Sequence, residues 1–327
     1  MKSSMMKTCN SSRDSIPRFH ACLPWLVVCA AGLFGGWGCA PDSAGSRGLY
    51  ARDIPPGGYT RIVSLAPSLT ETLFAVGAGD RVVGVTRFCE WPPEAAARPQ
   101  VGGFLDTNFE AVVALKPDIV VALPSHKEHI TRLEALGLRC VVVPQTTLPD
   151  ILDSMLLLGD LTGCKETAEQ RAAALRQQLD RIRQRVRGQG HPRTLLSSGR
   201  NPADNSLSEV YIVGRKSFLH DLLETAGGDN AYPDTAVEYP MLSAEGIIRL
   251  DPEVIIEFVS EEDTARYPDA MYLEPWNQLK VLDAVKNGRV FLIRGKHYTI
   301  PGPSVAKTAA EIARLLHPDL FKDTREP

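Results

Sequence analysis

His126 and His129 stand three residues apart with Glu128 between them. On a helix that spacing sets both imidazoles on one face, a start toward a divalent-metal site. His297 and Tyr298 offer further borderline and hard donors from a distant part of the chain. A zinc or iron site is therefore one reading. The other is that His126-Lys-Glu-His129 is the solvated first turn of a helix running on through Leu133 and Leu136. Nucleophilic chemistry has no comparable foothold. The chain holds no GxSxG, HExxH, Walker A or GxGxxG run, so no motif places an activated serine or a phosphate cradle on a turn. No enzyme is expected. The 7 cysteines include no CxxC pair, which excludes a zinc ribbon or a thioredoxin motif. In an oxidising compartment Cys89, Cys140 and Cys164 allow one disulfide and one odd thiol, and sequence alone does not pair them.

Two carboxylates stand out by their setting. Glu110 opens the run Glu-Ala-Val-Val-Ala-Leu-Lys-Pro-Asp-Ile-Val-Val, and Glu245 opens Glu-Gly-Ile-Ile-Arg-Leu-Asp-Pro-Glu-Val-Ile-Ile. The two runs agree in residue class at nearly every position, Ala114 against Arg249 being the clear departure. Each reads as a short helix begun by an acid, stopped by Pro117 or Pro252, and followed by a buried strand. An acid in the first turn suits the helix dipole. Thr107 with Glu110 forms a capping-box pattern, and Ser243 is placed to cap the second helix.

The elements that must hold these residues follow from periodicity. Strands are predicted at Arg61–Leu65, Arg81–Val85, Ile119–Leu123, Cys140–Val143, Thr194–Ser198, Val254–Val259 and Arg289–Ile293. Most are uniformly apolar, as strands covered on both faces should be, which predicts βα units and parallel sheets. Between the two halves, Ala168, Ala172, Leu175, Leu179, Ile182 and Val186 recur at three- and four-residue steps over Lys165 to Arg187, and Gly188 and Gly190 end the run. A coiled-coil seam needs more heptads than this. A single long helix laid across the edges of two similar lobes accounts for the stripe. The expected organisation is a lobe over residues 60–162, a connecting helix over 163–190 and a second lobe over 191–323.

The chain of 327 residues is 44% hydrophobic, ample for two cores. Its net charge of −3 gives no basic field for nucleic acid. Lys2, Lys7, Arg13 and Arg18 precede an apolar run from Leu23 to Phe34, which ends in Gly35-Gly-Trp-Gly-Cys39. A basic start, a short apolar core and small residues before a cysteine read as an export signal over residues 1–39, with Cys39 acylated after cleavage. Residues 40–59, rich in Gly, Pro, Ser and Arg, then form a flexible tether to a membrane.

Arg61-Ile-Val-Ser-Leu-Ala-Pro-Ser-Leu-Thr-Glu71, Val83-Gly-Val85, Trp91-Pro-Pro93, Asn108 to Asp118, and Ala226-Gly-Gly-Asp-Asn230 resemble the periplasmic binding proteins for vitamin B12 and iron-siderophores. The resemblance runs from about Thr60 to Phe321. It implies two Rossmann-like α/β lobes with parallel sheets joined by one long helix, the class III periplasmic-binding fold, with cargo held in the cleft between them. It implies Phe88, Trp91, Phe104, Tyr211, Tyr239, His297 and Tyr298 as ligand-binding residues on the cleft loops, where aromatic faces bury a large planar chelate at low entropic cost. It implies Glu110 and Glu245 as the residues that dock an ABC permease dimer driven by a cytoplasmic ATPase. Cobalamin or a related corrinoid is the expected cargo, with a ferric siderophore or haem, or a bare metal ion, as alternatives. No resident cofactor is implied, and a monomer is expected. Leu123, Lys296-His297 and Ser304 depart from the family pattern, and Arg87, Arg294, Lys296 and His297 form a basic group that would suit an anionic chelate.

Overall fold

The computed structural model describes residues 54–260 and 265–322. The export signal, Cys39 and the tether as far as residue 53 lie outside the described residues. In the first lobe, strands β1 (Ile62–Ser64), β2 (Val82–Val85), β3 (Ile119–Ala122) and β4 (Cys140–Val142) pair in parallel in the order β2-β1-β3-β4. Their apolar runs are explained by cover on both faces. Ile62, Ile119, Val121 and Val141 join one core with helices α1 (Pro67–Ala75), through Leu69 and Leu73, and a later helix carrying Ile151, Met155 and Leu158. Val63, Val120 and Ala122 point the other way, onto α2 (Phe109–Ala114) and α3 (Lys127–Ala135), where Val112, Ile130 and Leu133 are buried.

The last helix of this lobe, α4 (Leu148–Leu161), begins with a reciprocal cap. Thr147 Oγ1 accepts from Asp150 N at 3.3 Å, and the Asp150 carboxylate accepts from Thr147 N at 2.9 Å. Residues 54–59, read from sequence as the end of a tether, lie against this lobe. Tyr59 N donates to Leu161 O at 2.9 Å, and Arg81 donates to the carbonyls of Gly57 and Tyr59. Gly58 is required there: a Cβ would stand 2.4 Å from the Thr162 carbonyl carbon, and its φ is +81°, beside +83° at Gly57.

Helix α5 (Lys165–Val186) is the connecting helix, and the six apolar positions of its stripe are all buried. Each of Leu175, Leu179 and Ile182 contributes roughly 1.5–3 kcal/mol by leaving water, against a few tenths for a surface side-chain pair. Burial therefore holds this otherwise charged helix in place. It packs on α4 of the first lobe and, in the second, on α6 (Phe218–Thr225) and a C-terminal helix; α7 (Ala244–Leu250) and α8 (Asp269–Gln278) lie between these in sequence, and α9 (Val305–Leu316) is that last helix. One continuous core runs from the first sheet through α5 to α6 and α9.

The second sheet contains β5 (Arg193–Gly199), β6 (Val210–Ile212), β8 (Met241–Leu242), β9 (Val254–Val259) and β10 (Val290–Arg294) in the order β10-β9-β5-β6-β8, with β7 (Asp229–Asn230) also on β5. The expectation of a parallel sheet holds for β10, β9, β5 and β7. It fails for β6, which runs antiparallel to both β5 and β8, so this sheet is mixed. The fold class stands: two α/β lobes joined by one long helix. The cysteines expected to allow a disulfide, Cys89, Cys140 and Cys164, are all free thiols.

Besides α5 and the shared core, polar contacts among the described residues tie the lobes. Glu71 of α1 accepts from Ser304 N, at the start of α9, at 2.9 Å. Asp221 of α6 accepts from Leu148 N, at the start of α4, at 2.7 Å. Each lobe thus offers a carboxylate to the N-terminus of a helix in the other, where the dipole favours negative charge. A third is an ion pair between Glu90 and Lys296 at 2.7 Å.

Candidate functional site

The first sheet changes direction of winding between β1 and β3, and the loops leaving the carboxyl ends of those strands open a crevice there. Ala66, Pro67 and Ser68 follow β1, while Leu123, Pro124 and Ser125 follow β3. Phe88 and Phe104 come from the segments after β2, and Gln145 and Thr146 from the turn after β4. Across the gap stand Phe218, Glu238 and Tyr239, with Thr299, Ile300 and Pro301 beyond β10. Together they enclose a cavity of about 660 Å³ between the lobes. Its walls are mostly apolar with a few polar groups, the character of a small-molecule site.

Of the residues expected to line the cleft, Phe88, Phe104 and Tyr239 meet in this cavity. Phe88 lies beneath two cations, with the Arg87 guanidinium 5.1 Å and the Lys296 ammonium 5.6 Å from its ring centre. Tyr239 is 36% exposed because it faces the open gap. Burial among its neighbours pushes its phenol up, and the adjacent Glu238 charge adds to this. The other four are placed elsewhere. Trp91 sits at the mouth of a separate cavity of about 590 Å³ beside α5, with Phe74, Met155, Arg171 and Leu175. Tyr211 lies on β6 opposite Met241, both on an exposed face. His297 and Tyr298 pack on each other with ring centres 4.1 Å apart, and the three residues after them reach the cavity instead.

The two histidines of the possible metal pair are stacked, 5.8 Å between ring centres. His126 is buried rather than solvated, and its Nδ1 accepts from Leu123 N at 3.2 Å. Burial lowers it to about 4, and His129 beside it pushes in the same direction. His129 Nδ1 meets the Thr107 hydroxyl at 3.0 Å. His126 therefore braces the loop after β3 behind Phe104, whose ring is 4.5 Å away. No group of three or more His, Cys, Asp and Glu side chains positioned for a metal occurs among the described residues.

The basic group offered by the sequence is neutralised. Arg87 makes a bidentate pair with Asp106, at 2.9 and 3.0 Å. Lys296 is held by Glu90 and Arg294 by Asp269. Glu238 is the only charged residue in the cavity wall and has no ion-pair partner among the described residues.

Glu110 and Glu245 are exposed in the first turns of α2 and α7. Their caps differ from expectation. Asn108, not Thr107, caps α2, its side chain accepting from Ala111 N at 3.0 Å, because the Thr107 hydroxyl is engaged by His129. Ser243 makes no side-chain cap; its hydroxyl donates to the Glu245 carboxylate at 2.7 Å, and this bond is the main reason that carboxyl lies below its ordinary value.

Sequence reasoning missed Gln145 and Thr146, although both directly follow an apolar strand and the strand-end rule points to them. Gln145 is 4% exposed. Its Nε2 donates to Thr72 Oγ1 and Ser154 Oγ, at 3.1 and 2.9 Å. Both hydroxyls give their own protons to main-chain carbonyls of Ser68 and Ile151, so they can only accept from the amide. That fixes its orientation and leaves Oε1 without a donor in the protein. Phe218 and Glu238 had no sequence signal, because the short strands near them were not visible.

Known proteins share this arrangement. The model of the periplasmic binding protein family matches residues 62–296. A vitamin B12-binding protein of Salmonella typhimurium is 32% identical over 198 residues, covering 60% of this chain and 71% of that protein. An ABC transporter substrate-binding lipoprotein of Bacillus subtilis is 26% identical over 290 residues, 86% of each chain. The crystal structure of the periplasmic vitamin B12 binding protein of Vibrio cholerae superposes with a TM-score of 0.67 at 24% identity, covering 81% of this chain and 99% of that one. The chain belongs to the periplasmic binding protein family, whose members bind and do not catalyse.

Proposed function

We propose that this family member is the substrate-binding component of an ABC importer, and that it captures cobalamin or a related corrinoid and passes it unchanged to a permease. The observation that carries the reading is the cleft: an apolar, aromatic-walled cavity between two lobes, built at the carboxyl ends of strands, with Phe88, Phe104, Phe218 and Tyr239 facing a common space. Flat rings suit a flat macrocycle. The names of the Salmonella and Vibrio relatives agree with the cargo, and that of the Bacillus relative with the importer role alone. The absorption spectrum of protein purified from its native host tests the cargo. Corrin bands are expected; a haem spectrum, or metal with no chromophore, sinks the corrinoid reading.

Docking to the permease falls to Glu110 and Glu245. One exposed carboxylate per lobe, each on the same turn of a repeated helix, suits a twofold partner carrying matched arginines. Such contacts orient and speed encounter more than they add affinity. Glu110→Ala and Glu245→Ala are each expected to leave cargo affinity intact and to slow uptake, with the double variant slowest; normal uptake by the double variant would overturn the assignment. Cys39 is the site of a lipid anchor that keeps the protein at the outer face of the cytoplasmic membrane. Metabolic labelling with a fatty acid, lost in Cys39→Ala, is the expected result.

A further inference from the structure

We propose that the cleft discriminates against anionic cargo and that Glu238 sets this discrimination. The inference rests on reading the interlobe cavity as the cargo site, but not on which macrocycle fills it. The three strong cations of the basic group lie outside the cavity lining and are already paired, Arg87 with Asp106, Lys296 with Glu90 and Arg294 with Asp269. Recruiting any of them means exchanging an existing ion pair for a new one, so none adds a free positive charge. The Lys296 pair carries a further constraint, since it also joins the lobes.

The wall itself carries hydroxyls that donate or accept, on Ser68, Ser125, Thr146, Thr299 and Tyr239, and one fixed charge, which is negative. Glu238 carries the only wall charge, beside Tyr239, whose phenol its field helps keep protonated. Gln145 stands opposite with an orphaned carbonyl oxygen, its amide hydrogens both committed to the lobe. A cargo rimmed with amide N–H or hydroxyl donors satisfies such a wall directly or through water. One rimmed with carboxylates meets a like charge in a partly desolvated gap, where the penalty is several times its value in water. Two exposed lysines lie close in sequence to the wall, Lys216 two residues before Phe218 and Lys127 two residues after Ser125, and neither is part of it. The structure thus assigns the cargo class as free of peripheral anions.

The test uses the folded chain with three probes: cyanocobalamin, haemin and haemin dimethyl ester. The last two share ring and iron and differ in the two carboxylate charges, so their affinity ratio reads charge alone. The wild type is expected to prefer the ester by about tenfold or more, since a close like-charge pair costs between its small value in water and several times that value near a protein surface. Glu238→Gln is expected to bring that ratio to about twofold or less, and Glu238→Lys to invert it. Thermal melts confirm that both variants fold. An ester-to-acid ratio equal in wild type and Glu238→Gln, or no binding of either compound, overturns the inference. A wild type that ignores cyanocobalamin yet keeps the ester preference, lost in Glu238→Gln, supports the inference and rejects the corrinoid cargo.

Discussion

In the first lobe Arg61 donates to the carbonyls of Leu115 and Lys116 at the end of α2; in the second, Arg193 donates to those of Leu250 and Asp251 at the end of α7. Lys116 and Asp251 both adopt positive φ, 47° and 39°, immediately before a proline. The carboxylate of Asp118 accepts from Arg61 N, and that of Glu253 from Arg193 N. Ile62 pairs with Ile119 in one sheet as Thr194 pairs with Val254 in the other. The repeated unit therefore preserves main-chain register, helix stop and the arginine that seals it. The lobes part on the far side of the central strand, where β2 runs parallel to β1 but β6 runs antiparallel to β5. They part again inside the strand: Ala122 of β3 occupies the register position that Glu257 takes in β9. The shared half holds the frame and points an acid outward from each lobe. The divergent half shapes the cleft.

The largest expected effect comes from attacking that internal difference. Glu257 is fully buried and held by Arg200 at 3.0 Å and by Trp276 Nε1 at 2.6 Å. Burial pushes its carboxyl up, and the Arg200 charge pulls it back. Arg200 also donates to the carbonyls of Met271 and Tyr272, tying α8 to the sheet. Arg200→Leu should cost about 3–5 kcal/mol in denaturant unfolding, because it leaves a buried carboxylate alone. Adding Glu257→Leu should restore most of the loss, as a hydrophobic pair replaces the ionic one. If Arg200→Leu costs no more than a surface change, the ion pair is not what distinguishes the second lobe's core.

A smaller effect tests the likeness. Arg61→Ala and Arg193→Ala should each cost about 1 kcal/mol, the usual range for a hydrogen bond at an exposed helix end. Hydrogen exchange should rise at Leu115–Lys116 in one variant and at Leu250–Asp251 in the other. Unequal losses, or exchange that spreads beyond the sealed helix, would break the equivalence drawn between the two units.

Much of this frame is legible in the sequence because its signals are local. Seven of the strands are long enough and apolar enough to show, and the stripe from Ala168 to Val186 is a clean helical period. The duplicated Pro-acid-aliphatic runs give the pseudo-symmetry. What the sequence does not show is decided by distant partners. Strands β6, β7 and β8 have two or three residues each, set among polar and proline residues, and are held by distant partners, β6 and β7 by β5 and β8 by β6. The Thr107 cap is lost to a histidine twenty-two positions away. Arg87, Lys296 and Arg294 read as free cations until their carboxylates are seen beside them. Trp91 and Tyr211 have the right chemistry for the cleft but are carried by segments that turn elsewhere, and no local pattern reports that turn.

The reciprocal interlobe clamps give the smallest and most particular test. Glu71 is 7% exposed, and desolvation raises its carboxyl, with the bond from Ser304 and the charge of Lys307 only partly offsetting this. Asp221 is raised for the same first reason, against the bond from Leu148 and the charge of His220. A carboxyl raised in the folded state binds its proton at a pH where the unfolded chain has already lost it. Each group therefore contributes stability below the unfolded carboxylate value, and that contribution is lost as pH rises through the folded one. At pH 7.5 the buried charge is a net cost, while the acceptor oxygen is a gain. Glu71→Gln keeps the acceptor and removes the charge, so it should be as stable as the wild type or slightly more so at pH 7.5, and the gap should close toward pH 4.5. Glu71→Ala, which removes both, should be less stable by about 1 kcal/mol. Asp221→Asn should repeat the pattern in the mirror-image clamp, read by unfolding at the two pH values. A Glu71→Gln variant that weakens the protein at pH 7.5 while Asp221→Asn does not would show the clamps to be unequal, and that the charge on Glu71 attracts the start of α9 more strongly than burial opposes it.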